Sequence, residues 1–574
     1  MAGPGPRGGS LLLLLLLCWG AARADDSFDR PQYVCLNKGF PGGWLINDPS
    51  TFTQASVDAM LAAVGGQRGG AARKLCISFN IWSLYMYPAN ETTMLASVDA
   101  LLALALDNAL PLSVSLDPTQ WWQSRPDLYN WWDPSSPGYD PANAANVEWT
   151  APSPANATAI SWRNWGSQFR MPSPHPNFAA PAFREAAAAS VGPLAARIAA
   201  WYRALPADRK YLLAYVRASQ ELWVGTNYFY YPGGNALIPQ NSTNDPQGGP
   251  ANTMQLGYAA VCGAGAGGPG CSPGDALSVA QLDAVVSSLA GFLAQGLLDA
   301  GLPRSRLMVH TGSFFGAPPA CRAPLAPCAF NSPQAAVVPG AAPAWSLYGG
   351  GTDPAGDAGL ARALDAVDGA AWGACEWLAF FDGGHPQAAW AAALAATQGF
   401  RNNRVVVVQN FESVQHDAGA LAALSAALSA QPACLVDAPT GLAVAVVAGG
   451  AGGAGGAAAL TLNVTWAAPR ALGGPVEAQT LLASTSPLTL PSAALAVPDV
   501  ALLQLPGDAA AAQLALPAGW DASELFVQVV ARGCAGTQSV AADAVVVDTA
   551  PAASRRDSRG APARGTHERR LRRH

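Results

Sequence analysis

Eight short apolar runs, separated by helical patterns, constrain the fold of this chain more than any other feature. Each run is continuously apolar rather than alternating, which is typical of strands buried on both faces of a parallel sheet. Eight such strands alternating with helices predict an α/β fold, a (β/α)8 TIM barrel over residues 30–432. The runs are Tyr33–Phe40, Leu75–Trp82, Leu112–Asp117, Tyr211–Glu221, Arg306–Phe314, Pro343–Gly349, Gly373–Phe381 and Arg404–Glu412.

The gaps between the runs carry Ala-rich helical patterns, at residues 91–109, 182–204, 276–300, 357–368, 386–397 and 417–430. A doubly wound open sheet is the alternative arrangement of these elements. It is disfavoured because the segment 38–43 (KGFPGG) lacks the G-x-G-x-x-G spacing of a phosphate loop. Two long insertions, 118–180 and 222–275, follow the third and fourth runs. In a barrel both would emerge at the carboxyl ends of the strands, where substrate sites form.

Beyond residue 432 the pattern changes from helices to short β-type runs separated by turn residues. This predicts a small antiparallel β-sandwich over residues 436–548. The segments APTGL at 438–442, VTW at 464–466 and LFVQVVA at 525–531 resemble a fibronectin type III domain.

The two ends of the chain are predicted to lie outside these domains. Residues 1–24 have the form of a signal peptide, with an apolar run at 11–17 that is too short to span a bilayer. Residues 549–574 form a basic tail that we expect to be disordered. The protein is therefore expected to be secreted or extracellular, with a lysosomal or vacuolar destination as the alternative.

Charge and composition limit the partners. The formal net charge is −6, and the body without its basic tail is more acidic still, which argues against nucleic acid binding. No segment after the signal peptide predicts a membrane span. No cofactor is expected, and the histidine and cysteine spacing does not indicate a metal site. Four glycosylation sequons agree with secretion; they begin at Asn90, Asn156, Asn241 and Asn463.

Nine of the ten cysteines lie beyond the signal peptide, in a compartment that favours disulfides. Cys35 and Cys76 lie on adjacent predicted strands and could face each other. The other candidates are Cys262 with Cys271 and Cys321 with Cys328, which could close short loops, and Cys434 and Cys534, which bracket the C-terminal region. Cys375 is then left over. The sequence does not fix this connectivity.

Two glutamates lie where barrel enzymes carry their reacting groups. Glu221 ends the fourth run (RASQELW), and Glu376 lies within the seventh (WGACEWL). Charged residues are rare in such apolar strands unless they are paired or functional, and the carboxyl ends of the strands meet at one mouth. Two carboxylates across a mouth can divide the roles of acid and nucleophile, as glycosidic bond cleavage requires.

In this arrangement the chain resembles the retaining glycoside hydrolases of clan A, over residues 30–432. The resemblance implies Glu221 as the acid/base after the fourth strand and Glu376 as the nucleophile on the seventh. It implies an oligo- or polysaccharide substrate, cleaved at an O-glycosidic bond. The clan usually has Asn before the acid/base, whereas this chain has Gln220, whose amide could still reach a sugar 2-hydroxyl.

The insertion after the third run is rich in tryptophan, and seven of the 18 in the chain lie between residues 121 and 165. Flat rings beside Asn, Asp, Gln and Arg suit the apolar faces and polar rims of sugars. The alternative is a satellite core in which the rings pack beneath a long loop. The candidate substrate-binding residues are Asp117, Trp121, Trp122, Trp131, Trp132, Gln220, Trp223, Tyr348 and Trp377.

Other interpretations of these residues stay open. Each glutamate could form a structural ion pair; the available arginines are Arg125, Arg163 and Arg217. Glu412, at the end of the eighth run, is a rival carboxylate, and His310 could position a reacting group or be a satisfied core residue. The alternative function is a non-catalytic carbohydrate-binding or cell-surface adhesion module. Carboxylates about 5–5.5 Å apart would favour a retaining enzyme, and about 6.5–9.5 Å an inverting one.

Overall fold

The computed structural model describes residues 30–37, 45–149, 161–164, 168–171, 173–225, 256–262, 277–312, 330–367, 371–432, 435–436, 439–448, 460–469, 471–472, 476–484, 500–516, 524–533, 538–541 and 545–548. The predicted signal peptide, the basic tail and the sequons at Asn156 and Asn241 lie outside these ranges.

The first domain is a closed barrel of eight parallel strands that follow one another around the barrel in chain order. The last strand pairs with the first, from Tyr33 opposite Val405 to Leu36 opposite Val408, which closes the sheet. The predicted (β/α)8 barrel is therefore confirmed. Its strands are β1 (Gln32–Asn37), β2 (Arg73–Trp82), β3 (Leu112–Asp117), β4 (Leu213–Ala218), β5 (Leu307–Thr311), β6 (Ala342–Tyr348), β7 (Trp372–Leu378) and β8 (Asn403–Val408).

Successive residues of each strand face opposite sides of the barrel wall, and both sides are buried. On β1, Tyr33 and Cys35 pack inside the barrel, whereas Val34 and Leu36 pack outward against the helices. Burial on both faces explains why the strands read as unbroken apolar runs in the sequence. Every residue of β1, β3 and β4 is buried.

Helices cover the outside of the barrel. The helices of this domain, including short ones within the two insertions, are α1 (Gln54–Ala63), α2 (Ser83–Met86), α3 (Glu91–Asp107), α4 (Pro126–Tyr129), α5 (Pro181–Ala204), α6 (Tyr258–Cys262), α7 (Val279–Asp299), α8 (Ala358–Ala366), α9 (Gln387–Gly399), α10 (Phe411–Val414) and α11 (Ala418–Ser429). The six predicted helical stretches correspond to α3, α5, α7, α8, α9 and α11. The short α1, capped by Thr53, was not predicted.

Helix α7 is, within the described ranges, the one helix long and apolar enough to cross a membrane. Its buried residues recur every three or four positions, from Leu282 through Val286 and Leu289 to Leu293, and belong to the core shared with the barrel. That spacing is typical of a helix that covers a sheet with one face.

The two insertions at the carboxyl end of the barrel contact each other. Glu148, in the first, is fully buried and accepts hydrogen bonds from the backbone N–H groups of Gly257, Ala259 and Ala260 in the second. His175, also in the first insertion, has Nε2 at 2.9 Å from the carbonyl oxygen of Trp223. The insertions therefore support each other next to the strand that precedes Glu221.

The second domain consists of antiparallel strands, as predicted. The strands are β9 (Leu435–Val436), β10 (Thr440–Ala448), β11 (Leu460–Ala467), β12 (Ala471–Leu472), β13 (Val476–Ser484), β14 (Val500–Pro506), β15 (Ala511–Ala515), β16 (Glu524–Gly533), β17 (Gln538–Ala541) and β18 (Val545–Asp548). The larger sheet has the order β14-β13-β16-β17, with β18 also pairing with β16, and a three-stranded sheet has the order β10-β11-β15. Alternate residues of both sheets, such as Leu462 and Val464 from β11 and Val527 and Val529 from β16, share one core, so the domain is a sandwich. The likeness to fibronectin type III stays a prediction.

A disulfide joins Cys35 on β1 to Cys76 on β2, where the two residues are opposite each other in the barrel sheet. This predicted pair is confirmed, and Cys375 is a buried free thiol as expected. Cys262 is also disulfide-bonded. The remaining candidates, Cys271, Cys321, Cys328, Cys434 and Cys534, lie outside the described residues.

Candidate active site

A ring of buried polar side chains lies at the carboxyl ends of the barrel strands. Each of the eight strands contributes one member, either from its last residues or from the residues that follow it. We call this set the polar ring: Asn37, Asn80, Asp117, Gln220, His310, Ser346, Glu376 and Gln409, all at most 8% exposed. Buried polar groups are costly unless they are hydrogen-bonded or reserved for a ligand, so this ring marks the functional end of the barrel.

Glu376 enters the ring because of a β-bulge in β7. The register shifts between Ala374 and Glu376 against β6, and again between Ala374 and Trp377 against β8. As a result Ala374 and Trp377 pack outward, whereas the two residues between them, Cys375 and Glu376, both face the interior. Bulges of this kind commonly redirect side chains beside active sites.

Both carboxylate oxygens of Glu376 accept hydrogen bonds. Nε2 of Gln220 donates to Oε1 over 2.5 Å, and the hydroxyl of Tyr348 donates to Oε2. Acceptance at both oxygens suits an ionised carboxylate. Burial, and then the negative charges of Glu376 and Glu221, hold the pKa of Tyr348 well above its ordinary value. Tyr348 therefore remains a donor across the physiological pH range.

Glu221 lies on a strained segment just after β4. Ser219 has φ of 108° and Glu221 has φ of 48°, both in the region that side chains other than glycine rarely adopt. The segment is held by its neighbours: the Ser219 hydroxyl donates to the carbonyl oxygen of His310, and Ser115 donates to the carbonyl oxygen of Ser219. The unusual backbone turns the half-buried Glu221 toward β6.

Two residues of the ring support Glu221. The Ser346 hydroxyl donates to Oε1 of Glu221 over 2.6 Å, and Nε2 of His310 lies 2.9 Å from the same hydroxyl oxygen. Burial, and to a smaller extent the positive charge of Arg217, hold the pKa of His310 well below its ordinary value. The imidazole is therefore neutral.

A buried arginine lies beneath the ring. Arg217 donates to the carbonyl oxygen of Cys375 over 3.0 Å, to Ser78 over 2.9 Å and to Oδ1 of Asn80 over 3.0 Å. Its hydrogen bond to the Cys375 carbonyl oxygen stabilises the β-bulge of β7. Arg217 forms no ion pair with Glu376. Burial raises the pKa of the adjacent Cys375 thiol to about 12, so this cysteine is not a nucleophile at neutral pH.

Two side-chain amide atoms of the ring lack a hydrogen-bond partner in the described part of the chain, as does Nδ1 of His310, and the two amide atoms point to a ligand. Gln220 gives its amide N–H to Glu376, which leaves its Oε1 as an acceptor. Asn80 accepts from Arg217 at Oδ1, which leaves its Nδ2 as a donor. Since the partners fix which atom is nitrogen and which is oxygen, these two amides offer one acceptor and one donor, the two functions of a hydroxyl group.

Three of the predicted tryptophans lie in the core. Trp122 is 1% exposed, donates to the carbonyl oxygen of Pro174 and packs edge-on against neighbouring rings. Trp131 belongs to the same core, and Trp377 faces the helix layer, where it donates to Thr397. The burial of these three rings favours a packing role, the alternative considered for the tryptophan-rich insertion. That they contact sugar stays a prediction.

The remaining aromatic candidates differ in exposure. Trp121 is half-buried near the end of β3, against Trp82, at a ring-centroid distance of 5.5 Å. Trp132 is half-buried and stacks on Tyr129, while Trp223 is buried beside His175. Trp121 is therefore the predicted tryptophan best placed to contact a ligand.

Oδ1 of Asp117 accepts hydrogen bonds from the backbone N–H and the hydroxyl of Thr119, so this candidate caps the turn that follows β3. The rival Glu412 is exposed on α10 and takes no part in the ring. Arg125 pairs with Asp127 rather than with either glutamate. The side chain of Arg163 lies outside the described residues.

Sequence reasoning missed several residues of the site. Ser346 lies two positions before Tyr348 on β6, so strand periodicity could have placed it on the same face. Phe381 follows β7, is 68% exposed, and lies 5.7 Å from the Tyr348 ring. Nδ2 of Asn37, at the end of β1, donates to Oε1 of Gln409, which follows β8. This contact exists only once the barrel closes. In the ranges the structure covers, no cluster of three or more His, Cys, Asp or Glu is placed to hold a metal.

No protein-family model matches the chain, and no curated protein matches it in sequence. Among solved structures, the chain is similar to the catalytic domain of a beta-amylase from Paenibacillus polymyxa, at 10% identity over 70% of this chain and 98% of that one, with a TM-score of 0.38. It is similar to a broad specificity endoglucanase of the GH5-4 group from an uncultured bacterium, at 9% identity, 67% and 85% coverage, and a TM-score of 0.32. A glycoside hydrolase family 5 enzyme from Prevotella bryantii aligns at 9% identity, 71% and 98% coverage, and a TM-score of 0.30. At TM-scores this low, the fold assignment rests on the closed eight-stranded sheet itself.

Proposed function

We propose that the barrel is a glycoside hydrolase that uses Glu376 as nucleophile and Glu221 as acid/base. The observation that carries the proposal is the shared network at the mouth. Gln220, next to Glu221 in the chain, donates to Glu376, and β6 supplies one donor to each glutamate. The two environments differ, since Glu376 is buried with a donor on each oxygen and Glu221 is half-buried. Unequal environments are what separate the two roles in such enzymes.

The proposed reaction is a retaining double displacement. A carboxylate oxygen of Glu376 bonds to the anomeric carbon while the glycosidic C–O bond breaks, and the leaving oxygen takes the proton of Glu221. Glu221 then removes a proton from water, whose oxygen replaces Glu376 on the sugar and restores both carboxyl groups. The acceptor of Gln220 and the donor of Asn80 supply contacts for sugar hydroxyls. The substrate class is an oligo- or polysaccharide.

Secretion is part of the proposal. It is supported by the signal-like residues 1–24 and by the sequon at Asn90, which is exposed immediately before α3. The C-terminal sandwich would then be an appended module of an extracellular enzyme.

A screen of aryl glycosides at acidic to neutral pH tests the activity, and NMR of the first-formed anomer tests retention. Glu376→Gln should abolish turnover, because the amide cannot act as the proposed nucleophile. Glu412→Gln is the matched control, since it removes one exposed carboxylate outside the ring and should leave the rate unchanged. Glu221→Ala should spare substrates with good leaving groups and regain turnover when azide is added. If the wild-type protein binds sugars but hydrolyses none of them, the non-catalytic carbohydrate-binding alternative replaces this proposal.

A further inference from the structure

We propose that the barrel binds a sugar ring on each side of the bond it cleaves, through two aromatic patches at its mouth. The inference rests on the proposed function and deepens it, since it makes the substrate a sugar chain recognised on both sides of the scissile bond. The first patch, which we call the β2 patch, consists of Trp82, Tyr85 and Trp121. The second, the β6 patch, consists of Tyr348 and Phe381.

The β2 patch is formed by residues at and after the ends of β2 and β3. The centroid of the Trp121 ring lies 5.5 Å from that of Trp82, the last residue of β2, and 6.4 Å from that of Tyr85 on α2. The hydroxyl of Ser124 donates to the carbonyl oxygen of Tyr85 over 2.8 Å, which joins the two segments. Trp82 and Trp121 are half-buried and Tyr85 is 45% exposed, so the patch presents ring surface to solvent in a fixed position.

The β6 patch combines a held ring with an exposed one. Tyr348 ends β6, is half-buried, and lies 5.7 Å from the ring of Phe381, which follows β7. Phe381 is 68% exposed, more than any other large apolar side chain in the described ranges. An exposed ring beside a site lined by polar groups is typical of a surface that binds a ligand with one apolar face.

Each patch is connected to one of the two glutamates. The hydroxyl of Tyr348 donates to Glu376, so the β6 patch extends outward from the proposed nucleophile. In the loop that carries Trp121, Nε2 of the preceding residue, Gln120, donates over 2.5 Å to the backbone carbonyl oxygen of the residue before Glu221. A sugar ring stacked on either patch would therefore lie next to the carboxylate pair.

The two patches lie on opposite sides of the line that joins the glutamates. The strands follow one another around the barrel in chain order. A line from Glu221, after β4, to Glu376, on β7, therefore leaves β5 and β6 on one side and β8, β1, β2 and β3 on the other. In the proposed reaction the two carboxyl groups flank the glycosidic bond. The sugars joined by that bond extend to both sides of the line, one toward each patch.

The chemistry of the patches suits sugar rings. Aromatic faces pack against the apolar C–H faces of a sugar, and its hydroxyl groups need hydrogen-bonding partners beside them. Asn80 lies two residues before Trp82 on β2, so its Nδ2 donor is on the same face of the strand as the β2 patch. The ligand class is thus an oligosaccharide that contacts both patches at once.

The kinetic test uses two substrates of the sugar and linkage that the wild-type protein hydrolyses. A hexasaccharide can cover both patches, whereas the fluoride of the trisaccharide has no sugar on the leaving side. Tyr85→Ala and Phe381→Ala should each lower kcat/KM for the hexasaccharide by about 5- to 10-fold, because each removes a stacking surface. With the trisaccharide fluoride only one of the two variants should lose activity, since only one patch is occupied.

Three further variants are controls. Tyr85→Phe and Phe381→Tyr keep the ring and should retain the wild-type kcat/KM on both substrates. Phe292→Ala removes an exposed ring from α7, in the helix layer, and should have no effect. If the wild type hydrolyses the sugar but either alanine variant at the mouth keeps full activity on the hexasaccharide, two-sided binding is refuted and the function stands. Equal losses of both variants on both substrates refute it too.

A binding measurement separates this inference from the proposed activity. Titration calorimetry of the Glu376→Gln protein uses cellohexaose, mannohexaose, xylohexaose and the hexasaccharide of any sugar that the wild type hydrolyses. At least one should bind, with Kd raised about 5- to 10-fold by each of Tyr85→Ala and Phe381→Ala. If this pattern holds while the wild type hydrolyses no glycoside, two-sided binding stands and the catalytic proposal fails. If no hexasaccharide binds and none is hydrolysed, both are refuted.

Discussion

Ser346 and Tyr348 lie two residues apart on β6, and each donates a hydrogen bond to a different glutamate, Ser346 to Glu221 and Tyr348 to Glu376. Side chains two apart on a strand point to the same face, with backbone positions about 6.6 Å apart. A single strand therefore sets the positions of both carboxylates, although these come from β7 and from the segment after β4. Small changes in β6 should consequently affect both halves of the proposed reaction.

Removal of the Tyr348 hydroxyl is the most direct test of this arrangement. Tyr348→Phe should lower kcat by about 10- to 100-fold, because the hydrogen bond to a charged group contributes about 1.5–3 kcal/mol. The thermal midpoint should change little, since phenylalanine keeps the ring and its contact with Phe381. Tyr129→Phe is the control: it removes a hydroxyl that bonds to the carbonyl oxygen of Gln123, away from the glutamates. Equal rates in the two variants would contradict the role of Tyr348.

Two aromatic substitutions should have opposite effects. Trp122→Ala should destabilise the fold by about 3–5 kcal/mol, because it empties a buried site, and should leave KM of the remaining folded enzyme unchanged. Phe381→Ala should raise KM and leave stability within about 0.5 kcal/mol, since Phe381 is exposed beside Tyr348. Chemical denaturation and initial-rate kinetics on the same preparations check both expectations. A rise in KM for Trp122→Ala alone would instead show that the tryptophan-rich insertion contacts the sugar.

Glu148 should make the stability of the protein depend on pH. Burial raises the pKa of Glu148 to about 7. The three backbone N–H groups that donate to its carboxylate act in the opposite direction, because they favour the ionised form, but burial has the larger effect. A glutamate in the unfolded chain has a pKa near 4.3, so the folded state prefers the protonated form. The contribution of protonated Glu148 to the free energy of unfolding is complete below about pH 4.3. As the pH rises to about 7, about 3 kcal/mol of this stabilisation is lost.

Thermal midpoints between pH 4.5 and 8 measure this effect. Glu148→Gln should flatten the decline across that interval, because the amide cannot ionise. Glu185→Gln, an exposed position on α5, removes the same charge and should keep the wild-type slope. An unchanged slope in Glu148→Gln would show that other groups dominate the pH dependence.

The barrel was predictable from sequence because its strands are buried on both faces. An apolar run such as Leu112–Asp117 can be recognised as a strand without knowing which strands pair with it. The observed β3 has the same bounds. The ends of other strands were placed less well, as with the predicted Tyr211–Glu221 against the observed Leu213–Ala218. There the chain leaves the sheet at Ser219, although the residues that follow are still of types common in strands. The hydrophobicity of the sequence therefore does not indicate where the strand ends.

The position of the two carboxylates at the barrel mouth was predictable from sequence, whereas the groups that hydrogen-bond to them were not. Strand number alone identified Glu221 and Glu376, yet regular alternation in β7 cannot direct both Cys375 and Glu376 inward. The bulge that does so depends on the register with two neighbouring strands. The exposure of the tryptophans could not be predicted, because a Trp-rich composition is the same whether a ring is exposed or, like Trp122, buried in the core.

The left-handed backbone at Glu221 sets stability and function against each other. A glutamate there costs about 1–3 kcal/mol relative to an unstrained residue, whereas glycine adopts the same conformation at little cost. Selection for a more stable barrel alone would therefore replace Glu221 with glycine, and with it remove the carboxylate proposed as the acid/base. A thermostabilised version of this protein chosen without an activity screen would be expected to lose the Glu221 carboxylate first.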